Sequence, residues 1–307
     1  MKKLPRTSVT AASREQIVEW LNSPKVDAGF LASELKYSQL LLDQYELGKD
    51  RLLAERDELG ELSYLGGPAL GPLADWPRNH DGEPLAHIAT ILLIESQNML
   101  ESDDDEERGV WPEPGPRLPA TGYLEVFHHL GTYGNVEDDG TQGWLVRHVP
   151  FDGETFPPFV DAPADLDVPH EVCQPVLLLA GFSLPSPMEY VDAENQVFTT
   201  VEFVHEEMNA AFTAWRHGKE KVNKGPVFPV SRLYGHSDPG REYAHEVLRE
   251  ARPLTSDADS YMLLLSVESW THFEGWFGDA GTLEVWIRAS DLAAGRFEQA
   301  WNMIRTD

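Results

Sequence analysis

From Gly60 onward the chain is cut into short apolar runs by glycine and proline, and most of its 22 prolines and 24 glycines fall in that stretch. Such punctuation leaves no room for long helices and specifies short strands joined by loops. The expected strands are Leu85–Ile94, Gly122–His128, Trp144–Val149, Val176–Phe182, Val227–Leu233, Tyr261–Val267, Leu283–Arg288 and Ala300–Ile304. Helical spacing marks Val201–His217, where Val204, Met208, Ala211, Phe212 and Trp215 share a face, and a short helix is expected over Glu242–Arg249. The loops Glu101–Pro119 and Asp152–Pro169 exceed simple turns, and loops of that length are commonly functional.

The first sixty residues have a different texture. Ser13 and Gln16 stand at capping-box spacing ahead of Ile17, Val18, Trp20 and Leu21, and Pro24 ends that helix. Ser33 to Leu59 contains no proline and only Gly48, with leucines at helical spacings, so one bent or two short helices are expected there. The domain reading is therefore a helical accessory segment over residues 1–60 and a folded domain over 61–307. The fold class is α+β: mostly antiparallel sheet with N-terminal helices. Two windows match, Gly122-Tyr-Leu-Glu-Val-Phe127 and Gly281-Thr-Leu-Glu-Val-Trp286, each after an apolar run. Chance likeness between strands competes with duplication, which would give two related β-units side by side.

Charge separates the function classes. The 307 residues carry 52 acidic and 24 basic side chains, a net −28, which disfavours nucleic acid and anionic membrane as partners. Residues 79–215 hold 26 acidic against 3 basic side chains, while residues 216–252 reverse the balance with 8 basic against 5 acidic. Solubility alone is served by such a surplus, and a basic protein partner is the functional alternative. No apolar run reaches the ~20 residues of a membrane span and no export signal follows Met1, so a cytoplasmic protein is expected. The single cysteine, Cys173, agrees with a reducing compartment and excludes an internal disulfide.

Motifs for chemistry fail one after another. His205-Glu206-Glu207-Met208-Asn209 lacks the second histidine of a helical zinc site. His170-Glu171-Val172-Cys173 has no companion cluster. Gly181-Phe182-Ser183-Leu184-Pro185 ends in proline where a nucleophile elbow needs glycine. Asp103-Asp104-Asp105-Glu106-Glu107 has Arg108 where a calcium loop needs its glycine. No phosphate loop or dinucleotide fingerprint occurs, so no cofactor, no metal, no catalytic residue and no enzymatic activity are expected.

Several blocks together resemble a known family. Ser63-Tyr-Leu-Gly66-Gly67-Pro68, Trp76-Pro77 and Asp81-Gly82-Glu83-Pro84-Leu85 open the series, and Leu118-Pro119 through Phe127 follows. Leu233-Tyr-Gly235-His236 with Asp238-Pro239 comes next, then Met262–Ser269, Gly275-Trp276-Phe-Gly278-Asp279-Ala-Gly281, Ile287-Arg288, Asp291-Leu292, Phe297 and Trp301. In this order they resemble the YwqG-like family, a bacterial domain family of unknown function. The resemblance covers about residues 61–304 and leaves the N-terminal segment aside. Family members usually carry an Ala-Gln-Ile run and a second glutamine where this chain has Ile88-Ala89-Thr90-Ile91 and Leu265-Ser266-Val267, which counts against an inherited enzymatic site. Gly66, Gly67, Pro68, Trp76, Pro77, Trp276, Gly278, Asp279 and Gly281 read as scaffold: turns and packed indoles.

The resemblance implies a protein of a kind found beside secreted toxins. With the charge, it gives the first functional expectation: an immunity protein that neutralises a basic antibacterial toxin encoded nearby. The expected contacts are Asp103, Asp104, Asp105, Glu106 and Glu107, then Glu137, Asp138 and Asp139, with Trp111, Tyr133 and Trp144 as aromatic anchors. The alternative is a small-ligand-binding protein or an uncharacterised enzyme, with a cleft between the two β-units.

Overall fold

The structure, a computed structural model, describes residues 22–43, 47–59, 62–100, 118–151, 153–168, 170, 172–183, 185–186, 189, 197, 199–200, 231–237, 239–269, 273, 275–278 and 281–306. In chain order the elements are α1 (Ala28–Glu34), β1 (Lys36–Asp43), β2 (Leu47–Gly48), α2 (Lys49–Leu59), β3 (Ser63–Gly66), β4 (Ala69–Leu70) and β5 (Ala86–Leu92). Next come α3 (Leu93–Leu100), β6 (Tyr123–His128), a 3-10 turn at Val136–Asp138, β7 (Trp144–Val149), β8 (Phe159–Val160), β9 (Val172–Ser183) and β10 (Arg232–Leu233). The chain ends with α4 (Glu242–Ala251), β11 (Tyr261–Glu268), β12 (Thr282–Arg288), α5 (Ala289–Ala293), a second 3-10 turn at Phe297–Gln299 and β13 (Trp301–Arg305).

One antiparallel sheet dominates, in the order β13-β12-β11-β10-β1-β9-β3-β5-β6-β7, with β2 added to β9, while β4 and β8 form a separate pair. The sheet curls until its edges nearly meet. At the seam Trp144 of β7 meets Trp301 of β13 edge-on with centroids 4.6 Å apart. The Trp144 Nε1 donates to Ala300 O at 3.1 Å, and the Trp301 Nε1 to Gly134 O at 2.8 Å. Ile304 N donates to Tyr133 O at 3.0 Å, so the loop after β6 bridges the gap. Gly134 is required there: its φ is +81° and a Cβ would fall 2.0 Å from Asn302 O. The result is a nearly closed, barrel-like sheet with short helices around it.

This corrects the α+β expectation with N-terminal helices. Residues 36–43 form β1, a strand inside the sheet that pairs with β9 from Lys36↔Ser183 to Asp43↔Val176 and with β10 at Gln39↔Leu233 and Leu40↔Arg232. A short run such as Leu40-Leu41-Leu42 suits a buried strand and a helix equally, and only pairing on both sides decides between them. The sheet therefore continues into the segment expected to stand apart. Of that segment's helices, α1 and α2 are the described ones; the helix expected after Ser13 and that over Val201–His217 lie outside the described residues. For Val227–Leu233, only β10 lies within them.

The matching windows do repeat each other, within one sheet and not as two units side by side. In β3, β5 and β6, Leu65 stands opposite Ala89 and Ala89 opposite Val126; in β10, β11 and β12, Leu233 stands opposite Leu265 and Leu265 opposite Val285. Each hairpin has a register shift at the same place, His87/Ala89 and Leu263/Leu265. Each first strand leads into two consecutive left-handed residues, Gly66-Gly67 (φ +65° and +69°) and Tyr234-Gly235 (φ +61° and +99°). Glu125 and Glu284 consequently occupy equivalent buried positions, opposite Thr90 and Ser266. A single apolar core crosses both halves, from Leu124 and Ile88 through Leu41 and Leu178 to Leu265 and Val285.

Candidate functional site

The faces bearing the two buried glutamates are covered differently. Around Glu125 the space is filled: its carboxylate accepts from Leu70 N of β4 at 2.7 Å and from Arg147 Nε at 2.8 Å, with the His87 Nε2 3.6 Å away. His87 and Glu125 are fully enclosed, so this cluster holds the fold together. Around Glu284 the cover is α4, and it leaves a cavity of about 720 Å³. That lies within the range of small-molecule sites.

The sequence of α4 explains both its seat and the cavity's chemistry. Ala244, Val247 and Leu248 form its apolar stripe, packed on Leu263, Trp286, Trp301 and Met303. Arg241, His245 and Arg249, at i, i+4 and i+8, form the neighbouring stripe and line the cavity. The opposite wall is Leu35, Lys36 and Tyr37 at the start of β1, and the turn Tyr234-Gly235-His236-Ser237 after β10. Tyr261, Met262, Leu263 and Trp286 form the floor, with Leu254 and Asp259 at one end.

The walls are tied down. Tyr261 Oη lies 3.0 Å from both Leu248 O and Arg252 O, fixing the C-terminal end of α4. Glu189 accepts from Arg241 N at 3.1 Å and pairs with its guanidinium at 3.2 Å. The His236 Nε2 donates to Glu34 O at 2.7 Å, its own N–H donates to Ser183 Oγ at 2.8 Å, and Arg232 donates to its carbonyl at 2.5 Å.

A protein of net −28 thus carries an open pocket lined by three cations and one carboxylate, and its titrations reflect that. Burial, then the charges of Lys36, Arg232 and Arg241, bring His236 down to about 3. Burial and the charges of Arg241, Arg249 and Lys36 bring His245 down to about 4. Lys36 is reached by water yet largely surrounded by protein, and burial followed by Arg241 lowers its ammonium. At Asp259 burial opposes ionisation, but hydrogen bonds from Ser290 and Thr255 outweigh it and hold the carboxyl below its usual range. Two buried ring nitrogens, His236 Nδ1 and His245 Nε2, have no hydrogen-bond partner among the described residues.

The residues singled out from sequence sit elsewhere. Asp103–Glu107 and Trp111 lie outside the described residues, as does Asp279. Tyr133 is 53% exposed, beside the turn that carries Glu137, Asp138 and Asp139. Asp138 Oδ2 accepts from Gly134 N and Asn135 N at 2.8 and 2.9 Å, and Asp139 pairs with Arg252 at 3.1 Å. Trp144 is committed to the seam. The structure adds Tyr243, 47% exposed, whose hydroxyl donates to Asn135 Oδ1 at 2.6 Å and so joins Tyr133 beside the acidic turn.

The scaffold residues hold turns and packed rings. Trp76 donates to Leu85 O at 2.8 Å and meets Phe127 edge-on at 5.5 Å, Pro77 O accepts from Leu85 N at 2.9 Å, and Pro68 O accepts from Tyr64 Oη at 2.9 Å. Trp276 packs 4.6 Å from Phe273, Gly278 bridges to Gly275, and Gly281 lies against Phe277 O. Cys173 is buried beside Gly67, its thiol pushed up to about 12 by burial. Among the described residues no three histidine, cysteine or carboxylate groups form a metal site, and no helix is long and apolar enough to cross a membrane.

Sequence reasoning missed Lys36, His236, Arg241, His245 and Arg249. Two signals pointed to them: the basic surplus of residues 216–252, and the four-residue spacing of Arg241, His245 and Arg249.

Fold and site together define a nearly closed antiparallel sheet carrying a pocket of basic lining under α4. The chain belongs to the family described as domain of unknown function (DUF1963), whose sequence model matches residues 63–304. Lys36 and Tyr37 precede that match, so one wall of the pocket comes from outside it. No curated protein matches the chain.

Proposed function

We propose that this protein binds a small anionic ligand in the pocket under α4. The observation that carries the reading is the convergence of Lys36, Arg241 and Arg249 on one cavity. Glu189 answers Arg241 and Asp259 stands at one end, which against the three cations leaves a surplus of one positive charge for an anion to offset. The role is binding and not catalysis, in a cytoplasmic setting, and within its family the chain is of the YwqG-like kind, supported by the ordered blocks from Ser63 to Trp301. The test is calorimetric titration with phosphate, sulfate and citrate against the protein and its Lys36→Glu and Arg249→Glu variants. Both side chains are accessible to water, so stability should hold while affinity falls at least tenfold. Unchanged affinity in both variants, or no anion bound by the parent protein, removes the reading.

A second reading, the immunity protein, is favoured by one feature of the surface. Tyr133 and Tyr243 are two of the four exposed large hydrophobic side chains among the described residues, and they flank Glu137–Asp139. Exposed tyrosines among carboxylates suit a basic protein partner. A pull-down at low and moderate salt tests it: a stoichiometric basic protein lost from a Tyr133→Ala/Tyr243→Ala variant supports it, and no basic partner at either salt discards it.

A further inference from the structure

Three tyrosines and a tryptophan line the pocket under α4, and each has its polar tip engaged elsewhere in the fold. Tyr37 Oη accepts from Gln39 Nε2 at 3.2 Å and Tyr234 Oη from Leu118 N at 3.3 Å. Tyr261 Oη lies 3.0 Å from Leu248 O and Arg252 O, and Trp286 Nε1 donates to Glu284 Oε2 at 3.0 Å. What these rings leave for a ligand is apolar surface. Leu254 extends it at one end, where its side chain is 40% exposed, so a ligand body that covers it removes apolar area from water. The charges are engaged too, with two exceptions. Arg241 pairs with Glu189 at 3.2 Å, and Asp259 accepts from Thr255 Oγ1 at 2.7 Å, Ser260 N at 3.0 Å and Ser290 Oγ at 2.7 Å. Lys36 and Arg249 make no ion pair among the described residues. Glu189 and Glu34 act on Lys36 from a distance, but burial and Arg241 outweigh them and lower its ammonium.

Three cations against Asp259 and Glu189 leave one positive charge to offset, and a second negative charge on the ligand would lie unpaired against the rings. An ammonium on the ligand would face Lys36 and Arg249 while both carboxylates are already engaged. Ligand hydroxyls would meet rings whose polar tips are taken, and would lose their water without replacement. We infer, on the footing of the anion-pocket reading, that the ligand is a small organic monoanion: one carboxylate or sulfonate head held by Lys36 and Arg249, on an apolar body without further polar groups. Trp286, Tyr261, Met262 and Leu254 supply the surface for that body. Charge selects the head and the engaged ring tips select the body, so the two halves of the specificity rest on different observations.

The probes are 3-phenylpropionate and 2-phenylethanesulfonate, titrated calorimetrically at pH 7.5, and the tighter of the two names the head group. Acetate is the head without the body. Benzylmalonate and phenylalanine differ from 3-phenylpropionate by one group at one carbon, a second carboxylate in the first and an ammonium in the second. The expected result is that the tighter probe binds at least about tenfold better than acetate, that benzylmalonate gains nothing over 3-phenylpropionate, and that phenylalanine binds at least about tenfold more weakly. Leu254→Ser, at an exposed position that folding tolerates, should weaken the tighter probe about threefold and leave phosphate and citrate unchanged. Acetate as tight as both probes, benzylmalonate tighter than 3-phenylpropionate, phenylalanine its equal, probe affinity unchanged in Leu254→Ser, or neither probe bound where citrate is, overturns this inference and leaves the anion pocket standing. No binding by either probe or by phosphate, sulfate or citrate overturns the pocket reading itself.

Discussion

His87 and His128 are enclosed completely, and each is held neutral by what surrounds it. The His87 Nδ1 donates to Gly66 O at 2.9 Å, and the His128 Nε2 to Thr132 O at 2.8 Å. Burial brings both down to about 4, from an unfolded value of 6.5. Between those values the unfolded chain binds more protons than the folded one, so stability falls as pH drops from 6.5 towards 4, by up to about 1.4 kcal/mol per pH unit for each imidazole. Denaturant midpoints measured from pH 7 to 5 should decline steeply, and His128→Gln should shallow the decline by about one proton; an unchanged slope in the variant would remove His128 from the account. Gly67 offers a second test. Its φ of +69° is combined with a Cys173 Cβ that an added methyl would meet at 2.5 Å, so Gly67→Ala should cost roughly 2–3 kcal/mol, read from the same midpoints. The glycine turn was legible in Gly66-Gly67-Pro68; that its neighbour is the chain's one cysteine was not, because the contact spans more than a hundred residues.

Among the elements, strand identity was readable wherever alternation and punctuation acted locally. Trp144–Val149 was expected and found with the same bounds, and β6, β11, β12 and β13 fall within a residue or two of their expected limits. Where the signal was a plain leucine run, as in β1, the sequence left helix and strand equivalent and pairing decided. Closure of the sheet depends on side chains from its two edge strands. Trp144→Ala removes the ring that meets Trp301 and the hydrogen bond to Ala300, and should cost about 3 kcal/mol. Hydrogen exchange reads the location: the amides of β7 and β13 should lose protection before those of β1 and β9, and uniform loss would show that the seam is no separate unit.

For the whole molecule the governing quantity is −28 charges on 307 residues. Self-repulsion destabilises a compact state of that charge, and salt screens it, the Debye length shrinking from about 30 Å at 0.01 M to about 8 Å at 0.15 M. Tm should therefore rise with salt by about 2 °C for each kcal/mol relieved in a chain of this size. Sodium phosphate should raise it further than sodium chloride at equal ionic strength, because occupation of the pocket adds about 2.7 kcal/mol at a hundredfold excess over Kd. Equal curves in the two salts would mean that phosphate ion acts by screening alone.

The sequence by itself determined the short-strand architecture, most strand positions, the repeated hairpin and the acidic balance, since each follows from local spacing or from counting. The tertiary structure alone decided that β1 lies inside the sheet, that the edges meet at Trp144 and Trp301, and that Lys36, His236, Arg241, His245 and Arg249 share one cavity. The physical reason is distance along the chain. Lys36 and Arg241 are separated by some two hundred residues, and no local propensity records a charge cluster that exists only once β1 has been paired and α4 laid across the sheet.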